Sequence, residues 1–353
     1  MTVRKILVTI WMSWLGLMVS CQSVQEEATD AQEITFKQPA SFPAPTYNLR
    51  ENPVSSEVFA LGRLLFYDGI LSRDYTIACG SCHIQGTAFT HHFHDVSHGI
   101  EDRLGTRNAP SLANMAWQKE FFWDGGVNNL DMFHIVPIED PVEMDESMEN
   151  VLKRLRAHPD YPARFEAAFG TKEINYERFS KALSQFVVLM VSANARYDQY
   201  KRGEVELNVK EMAGLRLFKQ KCASCHRGEL FSDMTYRNNG LAINQYNDVG
   251  RYRITQLESD KYKFKVPSLR NVANTFPYMH DGRFYTLEQV LNHYQGGVQD
   301  TPNLDSLLIR GDQRGIPLTQ EEKLQLIAFL KTLTDEEFLR DKRFAETGTD
   351  IIR

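Results

Sequence analysis

The chain has 353 residues, enough for about two domains of ordinary size. Hydrophobic residues make up 42% of it and charged residues 24%, values that are ordinary for a folded globular protein. They exclude a disordered chain, a collagen-like chain and a polytopic membrane protein. The formal net charge is -6 and no basic stripe is present, so nucleic acid is not expected as a partner.

The first residues have the layout of a bacterial secretory signal. A positively charged start precedes an apolar run over residues 6–19, which is short for a membrane span. Small residues then lead into Cys21, as in a lipobox, so we predict a lipoprotein-type signal peptide over residues 1–20 and lipidation of Cys21. Cleavage nearby without lipidation is the alternative. The polar segment 21–45 predicts a flexible tether, which places the protein on the periplasmic side of a bacterial membrane, lipid-anchored or otherwise soluble.

Four of the five cysteines form two copies of one motif, Cys-x-x-Cys-His. The copies are Cys79, Cys82 and His83, and Cys222, Cys225 and His226. Two thiols at this spacing can add to the vinyl groups of haem, and the adjacent histidine then becomes an axial ligand of the iron. A redox dithiol would need no following histidine, and a zinc site would lack ligands at each copy. We therefore predict two covalently bound haem c groups.

The hydrophobic pattern is helical nearly throughout, without a convincing series of strands. A stripe over residues 179–191 indicates a long helix that ends near Tyr200, and a hinge is expected at residues 201–204. Capping boxes begin at Thr286 and Thr319. Both halves repeat the order of helix, haem motif, loop and Arg-Asn pair, so we predict a mainly α protein of two cytochrome c-like domains.

The domain boundaries follow from this repeat and from the leader. After the signal peptide and tether, we predict one haem domain over residues 46–202 and a second over residues 203–340. A C-terminal tail is expected at residues 341–353.

Motifs around both haem sites resemble the bacterial di-haem cytochrome c peroxidase family, which includes the MauG enzymes. The resemblance covers roughly residues 57–334. The matching stretches are Gly-Arg-Leu-Leu-Phe-Tyr-Asp at 62–68, Arg-Asn-Ala-Pro-Ser-Leu at 107–112, Phe-Trp-Asp-Gly at 122–125, Pro-Val-Glu-Met at 141–144, Val-Pro-Ser-Leu-Arg-Asn-Val at 266–272 and Thr-Phe-Pro-Tyr-Met-His-Asp-Gly at 275–282. The resemblance implies a peroxidatic haem in the first domain, an electron-transfer haem in the second and an active site near their interface.

The resemblance also implies roles for single residues. Glu143 matches the catalytic acid/base, a group that can take a proton from one oxygen of peroxide and give it to the other. Trp123 matches the tryptophan that relays electrons between the haems. Asn108, Thr275 and Pro277 match positions whose oxygens hold a Ca²⁺ ion between the domains. The alternatives are an exposed helix-capping glutamate, a buried core tryptophan and two ordinary turns.

The sequence departs from the family at the first haem. Classical members place a distal histidine on a mobile loop, but that position holds Ile100 here. Four histidines precede it in the loop, namely His91, His92, His94 and His98. A histidine in such a loop is more often solvated than bound to iron, so we predict a five-coordinate first haem that is ready for peroxide.

A second departure concerns the distal ligand of the second haem. Classical members place a methionine fourteen residues after the histidine of Pro-Tyr-x-His-Asp-Gly, but Tyr294 stands there, as in MauG. It shares one helical face with Leu287 and Leu291, so it should point into the domain. We predict that Tyr294 binds the second iron, with Met279 and His293 as rivals. A phenolate favours ferric iron and lowers the potential of the haem.

These observations predict an enzyme that reduces hydrogen peroxide to water, with electrons relayed through the second haem from a small c-type cytochrome or another periplasmic donor. One alternative is a MauG-like enzyme that uses peroxide to oxidise a partner protein, and Tyr294 favours it. Another is a non-enzymatic di-haem electron carrier, which would have no use for Glu143. Family members often form dimers, so the resemblance allows a homodimer.

Overall fold

The computed structural model describes residues 34–91 and 93–346. The predicted signal peptide, the lipidation site Cys21, most of the tether, His92 and the end of the tail lie outside the described residues. Within the described ranges the chain is mainly helical, which confirms the predicted class. No helix in these ranges is long and apolar enough to cross a membrane.

Thirteen α-helices lie in the described ranges, and the strands there are all two residues long. The helices are α1 Ser56–Tyr67, α2 Cys79–Cys82, α3 Leu130–Phe133, α4 Ile135–Glu139, α5 Met148–Ala157, α6 Tyr161–Phe169, α7 Tyr176–Val188, α8 Arg196–Lys201, α9 Val209–Lys221, α10 Tyr252–Thr255, α11 Leu287–Asn292, α12 Gln320–Lys331 and α13 Glu336–Arg340. The strands are β1 Tyr236–Arg237, β2 Phe264–Lys265, β3 Ile309–Arg310 and β4 Gln313–Arg314, paired antiparallel as β1 with β2 and β3 with β4. Both predicted capping boxes are confirmed, at the starts of α11 and α12.

The first hydrophobic core is built around the crossing of α1 and α7. Gly62 of α1 lies against the carbonyl of Ala182, and a Cβ on it would also come within 3.0 Å of the Phe186 Cβ. A side chain at Gly62 would therefore force the two helices apart. Through this crossing, α1, the helix that precedes the first haem motif, packs into the first hydrophobic core.

The second core repeats this arrangement with α9 and α12. Gly214 of α9 lies against the backbone of Gln325, and a Cβ on it would come within 2.8 Å of the Phe329 Cβ. In both crossings, a glycine on the helix that precedes a haem motif lies against a backbone carbonyl of the partner helix. It also lies against the phenylalanine four residues after that carbonyl. The repeat agrees with the predicted duplication, while the exact domain boundaries stay predictions.

The predicted long helix ending near Tyr200 is wrong, because α7 ends at Val188 and α8 begins only at Arg196. Side chains from elsewhere bind the backbone between them. The Asn114 side chain accepts from Ser192 N at 2.9 Å and donates to Ser192 O at 3.0 Å. Asp335 accepts from Asn194 N at 2.9 Å. These bonds replace the intrahelical ones and turn the chain towards the second core.

The last described residues return to the first core. Phe338 and Leu339 of α13 and the nearby Phe344 are buried in it. The Tyr67 hydroxyl donates to the Phe344 carbonyl at 2.7 Å. The segment after α12 therefore ties the end of the chain to the helix that precedes the first haem motif.

Candidate functional site

The cysteines of the first haem motif form the short helix α2, and His83 is the C-cap residue that follows it. The Nδ1 atom of His83 lies 2.7 Å from the carbonyl oxygen of Phe89, and since a carbonyl can only accept, Nδ1 carries the proton. Burial lowers the pKa of His83 to about 4, so the ring is neutral at ordinary pH. Nε2 therefore keeps a lone pair, as an axial iron ligand requires.

Glu143 lies in the turn before α5. Burial raises the pKa values of the Cys79 and Cys82 thiols, and the nearby charge of Glu143 raises them further. Burial is the main cause that raises the pKa of Glu143 to about 7, the nearby Asp140 carboxylate raises it further, and a hydrogen bond from Ser97 opposes the rise. A carboxyl near neutrality can both take and give a proton. The helix-capping alternative is not met, because Ser147 caps α5.

The loop histidines contact one another or pair with an exposed carboxylate. The His91 and His94 rings stack with centroids 4.4 Å apart, and the buried His91 Nδ1 has no hydrogen-bond partner among the described residues. The His98 Nε2 lies 3.2 Å from a carboxylate oxygen of Asp102, whose side chain is 97% exposed. Ile100, at the position of the classical distal histidine, is fully buried.

The second haem motif opens onto a cavity of about 480 Å³. Cys222, Cys225 and His226 line it, together with apolar side chains of α9, α11 and α12. The Nδ1 atom of His226 lies 3.1 Å from the carbonyl of Phe231, and burial lowers the pKa of the ring. His226 is thus also a neutral imidazole with a lone pair on Nε2, and it lines the cavity.

Two of the three candidate distal ligands of the second haem line this cavity. Tyr294 does so together with Leu287 and Leu291, as their shared helical face predicts, and burial raises the pKa of its phenol to about 12. Met279 lines it as well. His293 does not; its Nε2 donates to the carbonyl of Asn239 at 3.0 Å. The geometry therefore leaves Tyr294 and Met279.

Trp123 connects the two halves of the chain and lines the same cavity. Its indole N–H donates to the Asn108 carbonyl at 2.8 Å, and its own carbonyl accepts from Lys265 N at 2.7 Å. Asn108, Thr275 and Pro277, the predicted calcium ligands, also line this cavity. In the described ranges no group of three or more His, Cys, Asp or Glu side chains is arranged to hold a metal ion, so oxygens of other kinds would have to bind calcium.

The residues fit two covalently attached haems. Both motifs offer cysteines free of disulfide bonds and a half-buried, neutral histidine. A largely apolar cavity with a phenol on its wall adjoins the second motif. An apolar pocket with a few converging polar groups is typical of a cofactor site.

Two residues of this region have no signal in a single sequence. Gly99 packs against the Glu143 backbone from a separate loop, and the Asn239 side chain donates to the Met279 sulfur at 3.4 Å. Neither belongs to a recognisable motif. Only the folded structure brings them to the site.

Comparisons with known proteins agree with this geometry. A family model described as di-haem cytochrome c peroxidase matches residues 56–206. The methylamine utilization protein MauG of Methylorubrum extorquens is 33% identical over 91% of this chain and 89% of its own length. The cytochrome c551 peroxidase of Nitrosomonas europaea is 32% identical over 81% of this chain and 82% of its own length.

A solved structure of a MauG-like protein associated with microbial copper homeostasis is 35% identical. It superposes with a TM-score of 0.79 over 88% of this chain and 99% of that one. The di-haem peroxidase BthA of Burkholderia thailandensis shares the fold, with a TM-score of 0.72 and 24% identity. The chain therefore belongs to the di-haem cytochrome c peroxidase family and is a c-type haem oxidoreductase that acts on peroxide.

Proposed function

We propose that the protein reduces hydrogen peroxide to water at the haem held by Cys79, Cys82 and His83, with Glu143 as the group that moves the proton. The observation that carries the proposal is the half-buried Glu143 carboxyl, whose pKa burial raises to about 7, near enough to Cys79 and Cys82 for its charge to act on both thiols. When bound, the haem supplies the iron that reacts with peroxide and exchanges electrons.

Residues of the chain provide proton transfer, attachment of the second haem and the electron path. Glu143 takes a proton from one peroxide oxygen and returns it to the other, which leaves as water. The overall reaction consumes two electrons and two protons for each peroxide and yields two waters. Cys222, Cys225 and His226 hold the second haem, and Trp123 lies on the electron path because it adjoins their cavity and bonds the first half through Asn108.

The test replaces Glu143 with glutamine in the haem-loaded protein and measures peroxide consumption with a reduced c-type cytochrome as donor. Glutamine keeps the size of the side chain but cannot take up a proton. Loss of a general acid/base lowers the rate by about 10²–10⁴-fold. Unchanged turnover with unchanged haem spectra would contradict the role of Glu143.

A second candidate function is the peroxide-dependent oxidation of residues in a partner protein, as a MauG-like enzyme. The position of Tyr294 on the wall of the second cavity favours it, because a phenolate ligand lowers the haem potential and disfavours electron uptake from a high-potential donor. Peroxide-driven oxidation of a reduced c-type cytochrome supports the first function. Failure of that reaction, with peroxide still consumed when a partner protein is present, supports the second.

Calcium and the membrane anchor complete the proposal. The presence of Asn108, Thr275 and Pro277 in the lining of one cavity supports a Ca²⁺ ion held by amide, hydroxyl and carbonyl oxygens. The leader supports a periplasmic protein lipidated at Cys21. Mass spectrometry of the mature chain and calcium analysis before and after chelation test these two points.

A further inference from the structure

One loop of the first half, here called the Ile100 loop, contacts both the turn that carries Glu143 and the first haem attachment site. Ile100 N donates to the Glu143 carbonyl at 2.8 Å. Gly99 lies so close that a Cβ on it would come within 2.5 Å of the Glu143 Cα. The carbonyl of His98 lies 3.7 Å from the Cys82 Sγ. The place of Glu143 relative to the haem attachment site therefore depends on how the turn is held against this loop.

Arg103 belongs to the Ile100 loop and binds the turn on both sides of Glu143. Its Nη1 donates to the Pro141 carbonyl at 2.8 Å and to the Asp145 carboxylate at 3.0 Å. Pro141 precedes Glu143 by two positions, and Asp145 follows it by two. The backbone of Arg103 is fixed within the loop, since its carbonyl accepts from Gly99 N at 2.9 Å. One guanidinium thus joins the loop to both ends of the segment that carries Glu143.

A second arginine, Arg73, holds the same turn from another segment of the chain. Its backbone N donates to the Met144 carbonyl at 2.9 Å, and its Nη1 donates to the Asp145 carboxylate at 2.6 Å. Glu101, also on the Ile100 loop, pairs with both Arg73 and Arg103. Two arginines and two carboxylates therefore form one ion-pair network across the loop and the turn.

The two acidic members of this network have backbone conformations that need support. Glu101 has φ +53° and Asp145 has φ +48°, in the left-handed region that disfavours residues with a side chain. Such conformations persist where the surrounding structure holds them. Each of these carboxylates accepts from both arginines. The network thus supplies contacts that keep the loop and the turn in these shapes.

The network lies at the surface, so its main effect is not on stability. The exposed fractions of its four side chains run from 25% for Asp145 to 54% for Glu101. Exposed ion pairs contribute little to the free energy of unfolding. Removing Arg103 should therefore leave the protein folded while it frees both ends of the turn.

We propose that Arg103 is the positioning residue of Glu143: by binding Pro141 and Asp145 it holds the turn against the Ile100 loop and keeps the Glu143 carboxyl at the first haem site. The inference rests on the proposed role of Glu143 and deepens it. Arg103 itself exchanges no proton with peroxide.

The test compares Arg103→Met and Arg103→Lys in the haem-loaded protein. Stopped-flow absorbance measures the rate at which peroxide changes the spectrum of the first haem, normalised to haem content. Methionine keeps an apolar stem but has no donor, so the rate should fall about 10- to 100-fold, since a misplacement of about 1 Å can lower a rate by roughly 10²-fold. Lysine keeps one charged donor for the two oxygens that Nη1 now binds, and should restore most of the rate.

Arg178→Met is the matched control. The Arg178 Nη1 also binds a backbone carbonyl and a carboxylate, both of Glu173, at 2.9 and 2.8 Å, and its side chain is 25% exposed. These bonds lie on the segment that enters α7 and do not involve the turn of Glu143. The rate in Arg178→Met should equal that of the wild type.

A double-mutant cycle separates positioning of Glu143 from a merely structural role. Arg103→Met added to Glu143→Gln should cause no further loss of rate, because the arginine acts only through the carboxyl that is already gone. An unchanged rate in Arg103→Met, an equal loss in Arg178→Met, or the same loss in the Glu143→Gln background would overturn the inference alone. A fully active Glu143→Gln would overturn the proposed function as well.

Discussion

Replacing Gly99 with alanine should displace Glu143 and lower peroxide turnover while both haems stay attached. Gly99 has φ -103°, which any residue can adopt, so the substitution strains no dihedral angle. The substitution is unfavourable only because the added Cβ lies too close to neighbouring atoms. The new Cβ would lie 2.5 Å from the Glu143 Cα and closer still to the carbonyl oxygens of Val142 and Glu143.

The size of the effect follows from these distances. Carbon atoms in van der Waals contact are about 3.5 Å or more apart, so the Glu143 backbone must retreat by about 1 Å. A misplacement of about 1 Å at a reacting group can lower a rate by roughly 10²-fold. The bond from Ile100 N to the Glu143 carbonyl links the two segments, so the loop cannot relax independently of the turn.

The assay is steady-state peroxide consumption at several peroxide concentrations, with haem content measured from the absorbance spectrum. Gly86→Ala is the matched control, because Gly86 also lies in the first haem domain and a Cβ there would meet nothing within 4 Å. We expect kcat to fall in Gly99→Ala and to stay at the wild-type value in Gly86→Ala. Equal kcat in both variants, at equal haem content, would refute the argument that this contact holds Glu143 in place.

Three further predictions concern the second haem and the link between the halves. Tyr294→Phe should raise the potential of the second haem in a redox titration, since it removes an anionic ligand; an unchanged potential would leave Met279 as the ligand. Trp123→Phe should slow electron transfer between the haems in stopped-flow absorbance without changing either haem spectrum, and an unchanged rate would exclude the relay. Asp198→Asn should lower the free energy of unfolding by about 3–5 kcal/mol in a urea titration, because Arg270 would be left buried without its charge partner. That loss is expected because Arg270 is 1% exposed and bonded twice to Asp198, at 2.8 and 2.9 Å; a loss below 1 kcal/mol would contradict it.

Local patterns predicted the parts of the fold that local chemistry decides. The Cys-x-x-Cys-His spacing is a covalent requirement of haem attachment, so it can be recognised wherever it occurs. The capping boxes at Thr286 and Thr319 are similarly local, since each involves residues three positions apart. Helical spacing placed Tyr294 on the same face as Leu287, although the chain widens into a π-turn over His293–Gly297.

Contacts between distant segments could not be predicted in this way. The apolar stripe runs on past Val188, but the helix stops there because Asn114 and Asp335 bind the following backbone. The environment of Glu143 also depends on distant segments, because Gly99 and Ile100 pack against its backbone from a separate loop. A single sequence records the residue types on each segment but not which segments meet.

The electron paramagnetic resonance spectrum of the fully oxidised, haem-loaded protein tests the central claim most directly. That claim is one open haem beside Glu143 and one closed haem in the second cavity. Ile100 at the classical distal position and the surface pairing of His98 with Asp102 predict a high-spin ferric signal from the first haem beside a low-spin signal from the second. Two low-spin signals would show that a side chain closes the first haem and would contradict a site that is ready for peroxide at rest.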